Sequence, residues 1–359
     1  MLASLFESWI VNLHVGIKLA IYVVGLAAGI FCLVKFCDIF VDGASVIAKK
    51  SKIPPLIIGL TVVAMGTSLP ELAVSVSDSI TCLIEGGNAN VAIGNVVGSN
   101  ICNILLVLGL SVIFTPIALK RSVSKRELPI LLSVTALVVL LICLFGLNSA
   151  ANISDLAITR WEGIILVVIM IGYITYIVLM AKKHPEELDP VDEVSSDMPL
   201  WKAILFVVLG GVGIFLGGQL VEFGAKGLAL QGAEALKIDH DMAEALVGLT
   251  VVAVGTSLPE LVTSCIAAKK GENEIAVGNV IGSNMFNMLF VMGVAATVNP
   301  LTTGSQVIVD ALVMVAVTAL LLVFAQKGKL TRAHGITFVC LYGLYLVYLV
   351  LRTVLGWTF

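Results

Sequence analysis

The chain has 359 residues, 59% of them hydrophobic and only 13% charged, and its mean hydropathy is +1.07. That composition excludes a soluble globular domain and leaves an integral membrane protein. A formal net charge of -3 with no basic cluster gives no sign of a nucleic-acid partner.

Apolar runs of about 20 residues suit a bilayer core roughly 30 Å thick. Ten can be drawn in chain order, at 17–46, 54–82, 91–114, 128–146, 161–181, 201–230, 243–267, 275–298, 306–325 and 334–355. They are continuous rather than short and alternating, which predicts helices and not a barrel. The first run lacks a basic leader and a small-residue cleavage site, so it reads as a retained span rather than a signal peptide. All seven cysteines (Cys32, Cys37, Cys82, Cys102, Cys143, Cys265 and Cys340) fall within spans with no CxxC spacing, and they read as buried apolar residues.

Of the 21 Lys and Arg residues, fifteen lie in loops after odd-numbered spans, among them Lys49, Lys120, Lys182, Lys270 and Lys329, and five lie on the other side. By the positive-inside rule both termini are extracytoplasmic. The longest loop, 182–200, is acidic and proline-rich and is expected in the cytoplasm as a hydrated linker; an ion-sensing role for its carboxylates is the alternative.

"GLTVVAMGTSLPELAVS" at 59–75 matches "GLTVVAVGTSLPELVTS" at 248–264 in fourteen of seventeen positions. Likewise "AIGNVVGSNICNILLVLG" at 92–109 matches "AVGNVIGSNMFNMLFVMG" at 276–293 in eleven of eighteen. Each half would hold five spans, an odd number, so the second half must enter the membrane from the opposite side. The predicted fold is therefore an all-α membrane protein of ten transmembrane helices, arranged as two inverted five-helix repeats with discontinuous helices 2 and 7. Its parts are residues 1–181 with the first motif at 59–109, the linker 182–200, and residues 201–359 with the second motif at 248–293.

Inside the first motif Pro70 has no N–H to give Gly66, and Pro259 repeats the defect opposite Gly255, so each helix is expected to break. A break in hydrocarbon persists only where it faces protein, water or an ion. Carbonyls near Ala64 and Ala253, and the hydroxyls of Thr67, Ser68, Thr256 and Ser257, then become oxygen donors at the negative end of a half-helix. Glu71 and Glu260 add formal charge where an ionised group costs roughly 2.5–3.5 kcal/mol on insertion scales. A metal or alkali ion, a proton, a basic partner, or a carboxyl kept neutral could each account for them. No basic residue stands near either motif in the sequence, and an oxygen-only donor set without His or Cys suits Ca²⁺ or Na⁺ rather than zinc or copper.

In the second motif Ser99 and Asn103 are four residues apart, as are Ser283 and Asn287, so each pair shares a helical face. Interhelical hydrogen bonding is the alternative role for these pairs. The glycines Gly94, Gly98, Gly278 and Gly282 read as close-packing positions.

The paired "GTSLPEL" and "GNVVGSNICNI", repeated as "GTSLPEL" and "GNVIGSNMFNM", resemble the two alpha-repeats of the cation/calcium exchanger superfamily, specifically its Na⁺/Ca²⁺ exchanger branch. The resemblance is strongest over 54–110 and 243–294. It implies a secondary antiporter of the cell (inner) membrane that exchanges Na⁺ for Ca²⁺ by alternating access, and no enzyme activity, cofactor or obligate protein partner. The implied ligands are Glu71 and Glu260 as shared carboxylates, with Thr67, Ser68, Thr256, Ser257, Ser99, Asn103, Ser283, Asn287 and the Ala64 and Ala253 carbonyls around them. The first and sixth spans would then act as a gate, with Asp42 and Glu222 as polar groups on it unless they pair with lysines. An amide at Asn287, where potassium-dependent relatives carry Asp, argues against K⁺ co-transport. A H⁺/Ca²⁺ or other cation antiporter on the same scaffold is the competing expectation, ahead of a channel or an intramembrane enzyme.

Overall fold

The computed structural model describes residues 14–51, 53–85, 91–149, 156–183, 198–235, 253–303 and 306–355. Most of the linker 182–200 and residues 243–252 at the start of the seventh predicted span lie outside the described residues, as do His184 and His240.

The described chain is almost wholly helical. In order it forms α1 (Val15–Ser51), α2 (Pro55–Thr67), α3 (Leu69–Glu85), α4 (Val91–Phe114), α5 (Leu128–Ser149), α6 (Arg160–Lys183), α7 (Leu200–Ala235), α8 (Ala253–Thr256), α9 (Leu258–Lys269), α10 (Asn273–Val298), α11 (Gln306–Ala325) and α12 (Arg332–Leu355). Among the described residues seven helices are long and apolar enough to cross a membrane, or eight when α2 and α3, bent by 48° at Ser68, are taken as one span.

Two helices form the centre: the most apolar stretches of α4 and α10 are 78 and 83% buried, against 11% for α1. Burial on every side explains why both carry glycine and amides instead of only bulky apolar groups. A methyl at Gly278 of α10 would stand 2.7 Å from the Leu56 carbonyl and 3.0 Å from Gly59 Cα, so α2 and α10 touch backbone to backbone. Gly282 abuts Leu60 and Ala64 one turn further on.

On the periphery α1 and α7 run antiparallel along most of their length. Gly29 meets Gly217 and Val221, whereas Gly43, fourteen residues later, meets Ala203 and Val207.

Among the described residues four short strands close the connections. β1 (Ile117–Ala118) pairs antiparallel with β4 (Lys329–Leu330), and β2 (Leu156–Ile158) with β3 (Leu301–Thr303).

Two expectations need correction. Cys340 is exposed on α12, and among the six cysteines whose side chains are described only Cys37 and Cys102 are fully buried. Gly94 is exposed and a methyl there would meet no described atom within 4 Å, so among the described residues it does not share the packing role of Gly278.

Candidate ion-binding site

Both copies of the first motif interrupt their helix at the same residue. Ser68 (φ −87°, ψ 12°) separates α2 from α3, and Ser257 (φ −85°, ψ 0°) separates α8 from α9. Each proline follows two residues later, inside the first turn, where its missing N–H costs the new helix nothing. Each glutamate then stands in the first turn of α3 or α9, at the positive end of the helix dipole.

The break is a kink rather than an unwound segment. The Ala64 carbonyl still accepts the Ser68 N–H at 3.0 Å and the Thr67 hydroxyl at 3.3 Å. Both lone pairs of that carbonyl are thus engaged, and a ligand would reach it by displacing the longer bond from the Thr67 hydroxyl. Ala253 opens α8, and its side-chain surroundings lie outside the described residues.

The two kinks meet. A methyl at Gly218 of α7 would lie 3.5 Å from Pro259 Cγ and 3.6 Å from Pro70 Cγ, so one glycine faces both prolines. Hydrogen bonds cross between the halves: Ser68 Oγ donates to Glu260 Oε1 at 2.7 Å, Thr67 Oγ1 to Asn279 Oδ1 at 3.1 Å, and Asn287 Nδ2 to Ser99 Oγ at 3.1 Å. Ser283 Oγ lies 3.4 Å from both Thr67 Oγ1 and Glu260 Oε1. The structure thus brings Thr67, Ser68, Glu260 and Ser283 into one set of contacts and Ser99 and Asn287 into another.

Burial is complete. Glu71, Glu260, Thr67, Ser68, Ser99, Asn103, Ser283 and Asn287 are 0% exposed, with Ser257 and Thr256 close behind. Buried polar atoms are normally paired, yet Glu71 Oε1 and Oε2, Glu260 Oε2, Asn103 Oδ1, Asn287 Oδ1 and Ser257 Oγ have no hydrogen-bond partner. None of the ion pairs among the described residues includes Glu71 or Glu260. No group of three His, Cys, Asp or Glu side chains converges among them either, so the remaining donors are neutral oxygens.

At Asn103 and Asn287 the helix widens into a π turn, spanning Asn103–Leu108 in α4 and Asn287–Val291 in α10. Such turns offset the register by one residue and recur at functional positions. Four-residue spacing therefore describes Ser99 and Asn103 only up to the start of that turn.

Sequence reasoning overlooked a supporting layer. Asn95 Nδ2 donates to Ser75 Oγ at 3.1 Å and to the Glu71 carbonyl at 3.4 Å, and Asn279 Nδ2 donates to Ser264 Oγ at 3.0 Å and to the Glu260 carbonyl at 3.4 Å. Asn100 and Asn284 exchange amide-to-carbonyl bonds at 3.3 Å. The signal was present: all six residues are identical between the two copies. Of the two polar groups assigned to the gate, Asp42 pairs with Lys270 at 2.6 Å, in keeping with the alternative reading, and the Glu222 Cα lies 4.0 Å from where a methyl on Gly255 would sit.

A profile of the family described as sodium/calcium exchanger protein matches residues 21–179 and 202–351. The chain belongs to that family. CaxA of Alkalimonas amylolytica is 38% identical over 317 residues, covering 86% of this chain and 91% of CaxA. The sodium/calcium exchanger MaX1 of Methanosarcina acetivorans is 31% identical over 357 residues, covering 90% and 97% of the two chains. The solved structure of the sodium-calcium exchanger NCX_Mj, soaked with 10 mM Na⁺ and 10 mM Sr²⁺, superposes with a TM-score of 0.73 at 30% identity over 92% of this chain and 98% of that one. This exchanger-family chain is accordingly a multi-pass membrane protein and a cation antiporter of the calcium-transporting kind, and its family is one of transporters rather than enzymes.

Proposed function

We propose that the chain is a Na⁺-driven Ca²⁺ antiporter that normally extrudes Ca²⁺. One observation carries this reading: six buried oxygens from both kinks and both facing helices, three of them carboxylate oxygens, have no partner. Ca²⁺ takes six to eight oxygen ligands at hard, flexible sites, and two carboxylates match its charge. Na⁺ needs the same donor type with less charge, so the two ions compete for Glu71, Glu260, Thr67, Ser68, Thr256, Ser257, Ser99, Asn103, Ser283, Asn287 and the Ala64 and Ala253 carbonyls.

The scaffold we infer is ten spans in two inverted repeats, 1–181 and 201–359, joined by a cytoplasmic linker at 182–200, with both termini extracytoplasmic in a cell (inner) membrane. Several contacts support this alternation. β1 and β4 follow the third and ninth spans and β2 and β3 follow the fourth and eighth, so each pairing joins connections that strict alternation puts on one side. The first and sixth spans, α1 and α7, are antiparallel, as inversion requires. Lys120 pairs with Glu274 at 2.6 Å, Lys49 with Glu272 at 3.0 Å and Lys270 with Asp38 at 2.7 Å, all at the lysine-rich side.

Exchange without leak follows from electrostatics. Two desolvated carboxylates with no counter-ion are costly to move through a low-dielectric gap, so the protein reorients only when cations load the site. A second reading, H⁺/Ca²⁺ exchange, draws on the same fact, since a proton could also relieve an unpartnered Glu71. Uptake of radioactive Ca²⁺ into proteoliposomes under imposed Na⁺, K⁺ and proton gradients separates the two. Uptake driven by Na⁺ alone is expected; uptake driven only by protons would overturn the Na⁺ coupling.

A further inference from the structure

Outside the two motifs the halves match again, in residues that the ion site does not employ. Arg160, Gly163, Tyr173 and Tyr176 of α6 recur at one constant separation as Arg332, Gly335, Tyr345 and Tyr348 of α12. On the preceding spans Glu127, Leu131 and Thr135, at the entry to α5 and along it, have the four-residue spacing of Asp310, Met314 and Thr318 on α11. All six are buried. Thr135 donates to the Leu131 carbonyl at 2.8 Å and Thr318 to the Met314 carbonyl at 2.7 Å. Each carboxylate meets a guanidinium: Glu127 accepts from Arg126 at 2.6 Å and from the Tyr173 hydroxyl at 3.0 Å, and Asp310 accepts from Arg352 at 2.9 Å. The helices α5 and α11 are thereby held in matched places, each by a buried ion pair.

Within that matched frame one position carries different chemistry. Met314 Sδ accepts one amide N–H of Asn100 at 3.7 Å, whereas Leu131 at the corresponding position offers no lone pair. Asn100 gives its other N–H to the Asn284 carbonyl at 3.3 Å, so its Oδ1 is left to accept from Asn287 Nδ2 at 3.3 Å. Asn287 Nδ2 also donates to Ser99 Oγ at 3.1 Å. With both its N–H groups engaged, the Asn287 amide can offer a ligand only Oδ1, which is buried and without a partner. The mirrored relay stops short. Asn284 donates to the Asn100 carbonyl at 3.3 Å, yet its Oδ1 and both polar side-chain atoms of Asn103 are unpartnered. One of the two facing amides is steered and the other is not.

We propose that Met314 is a positioning residue for the ion site: through Asn100 it holds the Asn287 amide with its oxygen toward the cation. The inference rests on the central site described above. The two ends of an amide are nearly equal in size, so packing cannot choose between them and hydrogen bonds must. A reversed Asn100 would set its oxygen against the Met314 sulfur and the Asn284 carbonyl, both electron-rich, and its NH₂ against that of Asn287. Sulfur is a weak acceptor, and Met314 therefore tips the orientation rather than imposing it. A ligand oxygen already in place binds its ion more tightly than one that must turn first.

The test is equilibrium binding of radioactive Ca²⁺ to the purified protein, alongside its Na⁺-driven uptake in proteoliposomes. Met314→Leu installs the residue of the mirrored position at nearly equal volume, a swap that cores tolerate. It should weaken Ca²⁺ binding and raise the half-saturating Ca²⁺ about threefold, the lower end of what one hydrogen bond contributes. Maximal uptake rate and unfolding temperature should change little. Met314→Gln returns an acceptor of similar length and should recover the affinity, even as a buried amide lowers the unfolding temperature. Combined with Asn287→Ala, which leaves both carboxylates in place, Met314→Leu should have no further effect on binding, because the relay has lost its last member. Unaltered affinity in Met314→Leu, or the same loss in the Asn287→Ala background, would overturn the proposal. Glu71→Gln is the control for the site itself. Ca²⁺ binding intact in that variant overturns the central assignment and the role of Met314 with it, whereas binding lost there but unmoved by Met314→Leu overturns Met314 alone.

Discussion

Ser68 Oγ donates to Glu260 Oε1 at 2.7 Å, while the reciprocal contact, from Ser257 to Glu71, is absent: Ser257 Oγ and both Glu71 oxygens are without partners. Two copies of one sequence thus present their carboxylates differently. Glu260 is held in place by a hydroxyl and Glu71 is left free to turn toward a ligand.

That difference predicts unequal mutants. Glu71→Gln and Glu260→Gln should each abolish Na⁺-dependent Ca²⁺ uptake in proteoliposomes, because either removes half of the site's formal charge. Ser68→Ala takes away a charge-assisted hydrogen bond of about 1.5–3 kcal/mol and should weaken Ca²⁺ affinity by at least tenfold. Ser257→Ala removes no existing bond and should cost less. Equal affinities for the two serine variants would contradict the asymmetry.

The amides behind the carboxylates should behave as supports. Asn279 donates to Ser264 and to the Glu260 carbonyl and accepts from Thr67. Asn279→Ala would leave these buried groups unpaired at about 1–3 kcal/mol each. We expect a lower unfolding temperature in detergent and a weaker Ca²⁺ affinity together. A double-mutant cycle with Ser264→Ala should be non-additive, since the two share one bond.

Asn287→Asp places an oxygen where an amide now donates to Ser99 Oγ and to Asn100 Oδ1 at 3.3 Å. Two acceptors then face one another, and a proton or an extra cation is needed between them. The pH and K⁺ dependence of Ca²⁺ uptake should change, with the variant responding to one or both where the parent does not. An unaltered profile would remove Asn287 from the ion cluster.

At the lysine-rich end, Lys270 reaches Asp38 at 2.7 Å and Asp42 at 2.6 Å on α1. Burial pulls its ammonium down, but hydrogen bonds to the two carboxylates outweigh that and hold its pKa above the usual lysine value. A raised folded-state pKa means the contribution is fully present below the unfolded value of about 10.4. It is lost as pH climbs through the folded value. The unfolding temperature should fall above that point, and Lys270→Met should flatten this alkaline limb while lowering stability at neutral pH.

The glycines give a packing control. Gly278→Ala drives a methyl to 2.7 Å from the Leu56 carbonyl, a backbone atom that cannot swing aside. Overpacking of this sort costs about 1–3 kcal/mol, to be read as a reduced yield of folded protein and a lower unfolding temperature. Gly94→Ala, whose methyl would meet no described atom within 4 Å, should be tolerated in the same assay.

How much of this was legible in the sequence follows from the kind of force involved. Hydrophobic runs set the helices, because length and apolarity against a bilayer are local quantities. The duplicated motif, its prolines and its glutamates located both kinks for the same reason: a missing N–H is a covalent fact about Pro70 and Pro259. Which atoms meet across the interior is decided by packing between segments about 190 residues apart, and the letters do not carry that. Only the tertiary structure pairs Ser68 with Glu260 and leaves Ser257 alone, opens the π turns at Asn103 and Asn287, keeps the Ala64 carbonyl bonded through the kink, and seals Gly278 while exposing Gly94. Near-identical segments acquire unequal roles because the surroundings of each are set by what packs against it, and those neighbours differ between the two halves.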